Sequence, residues 1–302
     1  MTGGSTGTDR TDAREHVRPA ATRAEDVAAN ASGENFPVAL RVVPRARRRH
    51  LTALYCFARL TDDLGDEARE TGQADADLRL RLLDELAADV DRIYAGGTPE
   101  SPVMRTMADT VRECDVPAQP LLDLIQANRQ DQRVTRYRTF AELARYCELS
   151  ANPVGQIVLY IFGAATPERV KLSDSICTAL QLAEHWQDVA EDLGHGRIYL
   201  PAEDLERYGC TEADLAEPSA GPAVRKLMRF EVDRAAGLLD DGAPLVGTLR
   251  GAARLAVAGY VAGGRAALAA IRGQRYDVLA RTARPRKPRL AAELVTAYLR
   301  GR

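Results

Sequence analysis

Two groups of acidic residues have spacings that would place several carboxylates together on one side of a helix. The first acidic cluster consists of Asp62, Asp63 and Asp66, and the second acidic cluster consists of Asp188, Glu191 and Asp192. Residues three and four positions apart are neighbours on a helix surface, where like charges destabilise a bare helix. Mg²⁺ is commonly bound through one or two carboxylates together with substrate phosphates. If they face each other across a cavity, the two clusters could hold metal ions around one diphosphate and stabilise it as a leaving group.

The surroundings of the two clusters differ. An apolar stripe formed by Leu51, Leu54 and Ala58 continues to Asp62 and Asp66, which predicts that the first cluster points along the buried face of its helix. Buried carboxylates of like charge need a cation or a proton. The second cluster lies beside a separate apolar stripe on its helix. Taken alone, that cluster is equally compatible with an ordinary solvated acidic face.

Other kinds of chemistry have little support in the sequence. The five cysteines show no CxxC spacing and the four histidines form no HExxH pair, which argues against a zinc site and indicates free thiols in a reducing compartment. The net charge of −2 gives no indication of nucleic acid binding. No glycine-rich dinucleotide fingerprint is present.

The elements that position these residues are predicted to be helices, because helical periodicity recurs along the chain and strand signals are nearly absent. Helices are expected at 44–64, 78–94, 101–114, 118–131, 139–148, 154–164, 174–193, 201–208, 222–240, 244–272 and 288–300. Ser173 is the expected cap of the helix that carries the second cluster, and Thr211 with Asp214 resembles a capping box. Since no repeat or internal linker is visible, residues 33–302 are predicted to form one domain after a disordered leader, 1–32.

Insertion into a membrane is not predicted. Residues 1–32 lack the apolar core of a secretory signal, and the apolar run at 154–164 is too short to span a bilayer. Arg265 interrupts the other apolar stretch, 255–271. The basic run 284–289 is interpreted as a solvated connection in preference to a phosphate or membrane site. We therefore expect a cytoplasmic protein, with peripheral attachment to the inner face of the membrane left open.

Three ordered motifs show that the chain, from about residue 34 to 290, resembles the squalene/phytoene synthases. The matching segments are Tyr55-Cys-Phe-Ala-Arg-Leu-Thr-Asp-Asp-Leu-Gly-Asp66, Gln181-Leu-Ala-Glu-His-Trp-Gln-Asp-Val-Ala-Glu-Asp192 and Gly196-Arg-Ile-Tyr-Leu-Pro201. The resemblance implies an all-α, single-domain isoprenoid-synthase helical fold with a central active-site cavity. It also implies that both acidic clusters bind Mg²⁺ and the diphosphate of a prenyl substrate.

The resemblance further implies roles for individual residues. The catalytic positions, which also contact the substrate, would be Tyr55, Arg59, Gln181 and Arg197. Further substrate contacts would come from Asn35, Phe36, Asn152 and Tyr199. The metal ligands would be Asp62, Asp63, Asp66, Glu184, Asp188, Glu191 and Asp192. Independently of the family, Arg59 lies one turn before Asp62 and could hold a phosphate oxygen, form an ion pair with Asp62, or do both.

Within the family, three segments look like the hydroxysqualene synthase branch of bacterial hopanoid pathways. These segments are Glu34-Asn-Phe-Pro-Val-Ala39, Ser150-Ala-Asn-Pro-Val-Gly155 and Trp186-Gln187-Asp188. Phytoene synthases and presqualene diphosphate synthases usually have arginine immediately before the second-cluster aspartate, where this chain has Gln187. The branch implies ionisation of presqualene diphosphate and capture of the cation by water, without a nicotinamide. It also implies coupling to a presqualene diphosphate synthase and to an enzyme that reduces hydroxysqualene.

Two alternative functions remain open from the sequence. The first is a complete head-to-head prenyltransferase, a squalene or phytoene synthase acting on farnesyl or geranylgeranyl diphosphate, which would share every metal ligand. The second is a non-catalytic helical assembly factor that keeps the fold. Retention of all five aspartates speaks against the second alternative, because buried acids cost stability without a metal.

Several positions depart from the family pattern or have an open role. Glu184 stands where the family usually has asparagine, which adds a charge near the metal site. His185 replaces a commonly aromatic apolar residue and is interpreted as a surface position. Gln156 stands where the branch often has arginine, so one phosphate contact would be missing. Candidate aromatic shields for a carbocation, each equally compatible with ordinary core packing, are Phe36, Phe57, Tyr146 and Tyr160.

Overall fold

The computed structural model describes residues 43–66 and 73–300, and within these ranges it contains helices and no strand. The helices are α1 (Arg45–Asp66), α2 (Gln73–Tyr94), α3 (Pro102–Cys114), α4 (Ala118–Asp131), α5 (Phe140–Ser150), α6 (Asn152–Ile161), α7 (Pro167–Gln187), α8 (Val189–Gly194), α9 (Ala202–Arg207), α10 (Glu212–Leu215), α11 (Pro222–Gly242), α12 (Leu245–Thr248), α13 (Gly251–Gly273) and α14 (Lys287–Arg300). The predicted leader and the segment 34–39, with Asn35 and Phe36, lie outside the described residues.

The predicted helices are confirmed with two exceptions, and the first concerns the long helix before the second cluster. This helix, α7, begins at Pro167, and the Thr166 side chain accepts a hydrogen bond from the Arg169 backbone as its cap. The prediction that Ser173 caps the helix was therefore wrong, because Ser173 lies buried inside it. Threonine followed by proline is a favoured helix start, with proline tolerated in the first turn.

The second exception is that two predicted continuous helices are interrupted. Asp188 has non-helical dihedral angles, φ −111° and ψ 18°, and separates α7 from α8. Leu249 and Arg250 are extended and separate α12 from α13. The first interruption matters for function, because it falls on the first residue of the second acidic cluster.

The buried side chains form two hydrophobic cores that meet at α6. The first core packs α1 to α4 together and includes Ile157, Val158 and Ile161 of α6. The second core is built from α5 and from the helices that follow α6, and Leu159 of α6 belongs to it. Because α6 contributes buried residues to both cores, it fixes the position of α1, with the first acidic cluster, relative to α7, with the second.

One described helix, α13, is long and apolar enough to cross a membrane by length and composition alone. Of its most apolar window, 61% is buried inside the fold. A buried core helix of a compact domain can have the same length and composition. In this structure α13 packs against α7, α11 and α14. Its apolar character is therefore explained by its place in the second core.

A buried cluster of charges joins the short helix α9 to α11. The Arg234 guanidinium donates to Asp204 at 2.8 Å and to Glu231 at 3.1 Å, and it lies 4.0 Å from the centre of the Phe140 ring. Glu231 is completely buried. Burial raises the pKa of Glu231 to about 8 although Arg234 opposes the shift, so this carboxyl is protonated at neutral pH.

Candidate active site

The first acidic cluster lies at the C-terminal end of α1 and is more exposed than the sequence predicted. The buried positions of α1 run through Leu54, Phe57, Thr61 and Gly65, whereas Asp62 is exposed to solvent. The expectation that Asp62 points along the buried face was therefore wrong. The apolar stripe at the start of α1 drifts around the helix because the period is 3.6 residues, so it reaches position 61 instead of 62.

Arg59 forms an ion pair within this cluster, but with a different partner from the one expected. Its Nε atom lies 2.8 Å from Asp63, four residues later, whereas the sequence suggested a pair with Asp62. The Arg59 side chain is about half exposed, at 53%. Tyr55, one turn earlier, is half-buried. The backbone of Asp66 belongs to α1, while its side chain is outside what the structure describes.

Helix α4 holds the first cluster in place through residues whose role is not evident from the sequence. The Asn128 amide donates to Asp62 at 3.2 Å, and Gln132 donates to the Gly65 carbonyl at 2.9 Å. A Cβ atom at Gly65 would lie only 2.2 Å from the Asn128 side-chain oxygen. Glycine at this position therefore allows α4 to approach α1 closely enough for Asn128 to reach Asp62.

The second acidic cluster lies where α7 ends and α8 begins. Asp188 is half-buried, and burial followed by the nearby Glu191 raises its pKa, while Arg284 acts in the opposite direction. The backbone carbonyl of Asp188 still accepts from the Asp192 N–H at 2.8 Å, so the cluster keeps its one-turn spacing across the break. The half-buried Asp188 and the exposed Glu191 are carboxylates of like charge, and together they create a local preference for a cation.

His185 is buried, and its interpretation as a surface position was wrong. Its ring stacks on Tyr199 with a centroid distance of 3.6 Å, and Gln181 approaches its Nε2 atom at 3.3 Å. Desolvation, assisted by the positive charge of Arg197, lowers the pKa of His185 to about 3. The imidazole is therefore neutral at physiological pH, and at 3.9 Å from Asp192 it makes no charged pair.

An aromatic cluster connects the second acidic cluster back to α4. Tyr199 stacks on Tyr137 at 5.8 Å and on Tyr146 at 5.9 Å, in addition to His185. The Tyr146 hydroxyl donates to Asp131 of α4 at 2.8 Å, and burial raises the Tyr146 pKa so that the hydroxyl keeps its proton. Helix α4 therefore touches the surroundings of both clusters, through Asn128 at the first and through Asp131 at the second.

The polar residues of α4 follow a helical spacing that could have drawn attention to them. Asn128, Asp131 and Gln132 recur at i, i+3 and i+4. The sequence alone does not separate this pattern from an ordinary solvated helix face, because the partners Asp62, Gly65 and Tyr146 are distant in the chain. Only the packing of α4 against α1 and α5 reveals their role.

A cavity of about 260 Å³ lies between α6, α7, α12 and α13, with an apolar wall and a polar end. Gln181 and Glu184 form part of this lining, and Glu184 is exposed. The remaining lining residues are Ser150, Ala151, Val154, Gly155, Val158, Leu159, Ser173, Ile176, Cys177, Leu180, Leu245, Val257 and Tyr260. The cavity thus combines a hydrocarbon-like interior with Glu184, which lies one turn before the second acidic cluster.

The segment 150–155 builds one wall of this cavity. A Cβ atom at Gly155 would lie 2.4 Å from both Cys177 and Ser173, so glycine is needed for α6 to pack this closely against α7. Asn152, which was expected to contact the substrate, is not among the lining residues. Its buried side chain accepts a hydrogen bond from Thr178 at 2.9 Å and joins the two helices.

The residue before the second cluster, Gln187, contacts the C-terminal part of the chain. Its side-chain amide donates to the backbone carbonyl of Ala283. The next residue, Arg284, lies close enough to Asp188 to oppose the rise in its pKa. The start of the basic run 284–289, interpreted from the sequence as a solvated connection, is therefore near the second acidic cluster.

The remaining predicted site residues have the following positions. Arg197 lies near the second cluster, where its charge affects the pKa of both His185 and Tyr199. Phe57 is completely buried in the first core, which favours core packing over a role as a carbocation shield. Tyr160 is partly buried against the same core. Gln156 donates to Asp174 of α7 at 3.0 Å.

Among the side chains that the structure describes, no three His, Cys, Asp or Glu residues converge into a complete metal site; Asp66 is outside that set. The donors nevertheless suit a hard divalent ion, because Mg²⁺ needs only one or two carboxylates when phosphates and water complete its shell. The half-buried carboxylate of Asp188 and the exposed carboxylates of Glu191 and Asp62 fit this requirement.

Comparison with known sequences supports the family resemblance. Residues 29–291 match the family described as squalene/phytoene synthase. The chain is 32% identical over 279 residues to 15-cis-phytoene synthase from Synechocystis sp., covering 88% of this chain and 81% of the relative. It is 34% identical over 219 residues to hydroxysqualene synthase from Rhodopseudomonas palustris, covering 72% of each chain.

Comparison with solved structures confirms the predicted fold. The crystal structure of squalene synthase HpnC from Alicyclobacillus acidocaldarius is similar with a TM-score of 0.75 and 41% identity, covering 84% of this chain and 94% of that chain. A dehydrosqualene synthase in complex with ligand has a TM-score of 0.79 at 24% identity, which demonstrates likeness of fold alone. The all-α isoprenoid-synthase fold implied by the motifs is therefore confirmed.

Proposed function

Because the chain belongs to the squalene/phytoene synthase family of prenyltransferase-type enzymes, we propose that it converts presqualene diphosphate and water to hydroxysqualene and diphosphate. In this reaction the carbon–oxygen bond to the diphosphate breaks, and its electron pair leaves with the diphosphate. The carbocation rearranges, a water oxygen bonds to carbon, and the water gives up a proton. No reductant is consumed.

The observation that carries this proposal is the position of the segment 150–155. This segment resembles the hydroxysqualene synthase branch, and Ser150, Ala151, Val154 and Gly155 all line the apolar cavity. Residues that line the cavity would contact the rearranging hydrocarbon, so they would determine which product forms. The 34% identity to a hydroxysqualene synthase supports the same branch.

A second feature supporting the branch is the neutral side chain of Gln187. Gln187 stands immediately before Asp188, and its uncharged amide donates a hydrogen bond to the Ala283 carbonyl. Arginine there, as in phytoene synthases, would add a positive charge beside the second acidic cluster. This difference would change how the two clusters share the charge of one or two diphosphates.

The polar end of the site would bind the diphosphate. Arg59 and Arg197 would contribute charge-assisted hydrogen bonds to phosphate oxygens. Mg²⁺, held by the two acidic clusters and Glu184, would supply positive charge that stabilises the leaving group. Release of Arg59 from Asp63 would be required for both residues to act, because they form an ion pair in the structure described here.

The apolar end of the site would protect the carbocation from bulk water and admit one water molecule. The Ser150 hydroxyl is buried at the cavity wall and has no hydrogen-bond partner among the described residues. We assign to Ser150 the role of orienting the nucleophilic water, because a hydroxyl can both accept from and donate to it. By contrast, the Ser173 hydroxyl on the facing helix has a partner, because its oxygen lies 4.0 Å from the Cys177 sulfur.

A second candidate function is condensation of two allylic diphosphates. The similarity to 15-cis-phytoene synthase extends over 279 residues, more than the 219 residues shared with the hydroxysqualene synthase. A phytoene or squalene synthase would use the same carboxylates and the same arginines. The two functions differ in substrate, since the condensation begins from farnesyl or geranylgeranyl diphosphate.

The test is a product assay with purified protein and Mg²⁺, without nicotinamide. Presqualene, farnesyl and geranylgeranyl diphosphates are supplied separately, and the extracts are analysed by mass spectrometry. The proposal expects hydroxysqualene from presqualene diphosphate alone, and expects Asp188→Asn to abolish it. Presqualene diphosphate made from farnesyl diphosphate, or phytoene made from geranylgeranyl diphosphate, would establish the second function. Inactivity of folded protein with all three substrates would favour a non-catalytic role.

A further inference from the structure

The C-terminal segment has a charge opposite to that of the rest of the chain. Residues 278–302 contain seven basic residues and one acidic residue, whereas the whole chain has a net charge of −2, so the rest carries −8. The acidic residue, Glu293, is paired with Arg289 at 2.8 Å. Arg281, Arg284, Arg286 and Lys287 are all exposed. The C-terminal segment is therefore strongly positive, although the rest of the chain has a net negative charge.

The last helix, α14, uses only one face to pack against the fold. On this inner face Ala297 is buried, and Leu294 and Tyr298 pack against the second core. Arg254 of α13 donates to the Tyr298 carbonyl at 2.6 Å and lies over the Tyr298 ring at 4.6 Å. These contacts set the rotation of α14, so the direction of its opposite face is well defined.

The opposite face of α14 is apolar and exposed. We call it the outer face, and it consists of Pro288, Ala291, Ala292, Val295 and Leu299. These positions recur at i, i+3, i+4, i+7 and i+11, within about 100° of the helix circumference. Val295 is 59% exposed and Leu299 is 51% exposed, and they are two of the four large hydrophobic residues exposed in the described part of the chain.

The outer face is continuous in sequence with basic residues that lead to the second acidic cluster. The Ala283 carbonyl accepts from Gln187, and Arg284 is close enough to Asp188 to affect its pKa. From there Arg286 and Lys287 lead directly into the first turn of α14. One short stretch of chain therefore connects an exposed apolar face, a positive surface and the diphosphate end of the site.

We propose that the outer face of α14 and the basic residues of 281–289 dock the protein on an anionic lipid bilayer. An amphipathic helix with basic residues at its end lies in the membrane interface with its apolar face inserted, and anionic headgroups attract the basic residues. Charge complementarity selects this occupant, because in a two-fold symmetric dimer through this face a second copy would bring an equally positive segment against it. The proposal goes beyond the reaction and does not depend on which prenyl diphosphate is the substrate.

The test is co-sedimentation of the full chain with vesicles of phosphatidylcholine alone and of phosphatidylcholine mixed with phosphatidylglycerol. Binding is expected to the anionic vesicles only, and it should weaken as salt is raised. The double variant Val295→Asp with Leu299→Asp, and the double variant Arg286→Glu with Lys287→Glu, should each reduce the partition coefficient by at least about tenfold. Because all four side chains are exposed, their melting temperatures should match that of the parent protein.

Two matched controls separate this surface from general effects. Leu78→Asp, at another exposed leucine on α2, is compared with Leu299→Asp alone, and Arg145→Glu, at an exposed arginine on α5, is compared with Arg286→Glu alone. Neither control should change vesicle binding. Absence of binding by the parent protein, or equal loss in the controls, would overturn the proposal. A change from dimer to monomer by light scattering in Val295→Asp with Leu299→Asp, with vesicle binding unchanged, would instead identify a second copy as the occupant.

Discussion

The side-chain amide of Asn128 on α4 donates a hydrogen bond to Asp62 on α1 at 3.2 Å. Glycine at position 65 makes room for Asn128 in this position, because a Cβ atom there would collide with its side-chain oxygen. Helix α4 then reaches the other half of the site through Asp131 and Tyr146. Helix α4, which carries none of the predicted metal ligands, therefore holds the first acidic cluster and contacts the residues that support the second.

Gly65→Ala should impair activity more than stability. The new Cβ would lie 2.2 Å from the Asn128 side-chain oxygen, and this flexible side chain can rotate away at small cost. Asp62 would lose the hydrogen bond that orients its carboxylate, and because Asp62 is exposed, water can replace that bond at little cost in stability. We expect a fall in kcat/KM of roughly tenfold, measured under saturating Mg²⁺, with unfolding free energy within about 1 kcal/mol of the parent.

The matched control is Gly237→Ala in α11, where an added Cβ meets nothing within 4 Å. It should leave kcat/KM unchanged and stabilise the helix by about 0.5–1 kcal/mol. Full activity in Gly65→Ala would show that the contact between Asn128 and Asp62 has no role in catalysis.

Glu184→Gln should increase the Mg²⁺ concentration needed for half-maximal activity. Glu184 lines the cavity next to Gln181, one turn before Asp188, where the family usually has a neutral asparagine. Removing one negative charge near a cation at a partly exposed site costs about 1 kcal/mol or more, which corresponds to roughly a five- to tenfold higher requirement. Glu206→Gln, an exposed glutamate on α9, is the control. An unchanged Mg²⁺ requirement in Glu184→Gln would exclude Glu184 as a ligand.

Ser150→Ala should change the products more than the rate at which substrate is consumed. Without the Ser150 hydroxyl the water is poorly oriented, so the cation would lose a proton instead of gaining oxygen more often. We expect the ratio of hydroxylated to non-hydroxylated hydrocarbon to fall roughly tenfold, as measured by mass spectrometry. Ser173→Ala, which removes the other serine hydroxyl of the same cavity, should leave that ratio nearly unchanged. Equal effects of the two substitutions would contradict the role assigned to Ser150.

The stability of the fold should decrease as pH rises from about 6.5 to 8. In the folded protein burial raises the pKa of Glu231 to about 8, above its usual value of 4.5. The folded state therefore binds more protons than the unfolded state in this range, and stability falls by up to about 1.4 kcal/mol per pH unit. Glu231→Gln should flatten this dependence in urea unfolding, while Asp233→Asn, at an exposed carboxylate on the same helix, should not. A slope that survives in Glu231→Gln would assign the dependence to other groups.

Much of the fold was predictable because its signals are local. The bounds of α4 matched the predicted 118–131, and the capping box of Thr211 and Asp214 is present as expected. These features depend on residues within a few positions of each other, where periodicity and capping chemistry act directly. The resemblance to the family then supplied the overall arrangement, which local patterns do not contain.

The parts that were predicted wrongly depend on tertiary packing. Asp62 was predicted to be buried, but the buried stripe of α1 reaches residue 61 instead. A shift of one residue along a helix rotates a side chain by about 100°, which is enough to move it from the core to solvent. His185 has a polar ring whose burial is compensated by stacking on Tyr199 and contact with Gln181, and neither partner is recognisable from position 185 alone. The contact between Asn128 and Asp62 joins residues 66 positions apart.

The central claim, ionisation followed by capture of water, is tested most directly by running the reaction of presqualene diphosphate in ¹⁸O-labelled water. The account predicts that the alcohol product carries the label and that the released diphosphate does not, because the carbon–oxygen bond breaks and water attacks carbon. Label in the diphosphate and none in the alcohol would mean that water attacks phosphorus, and this result would contradict the mechanism.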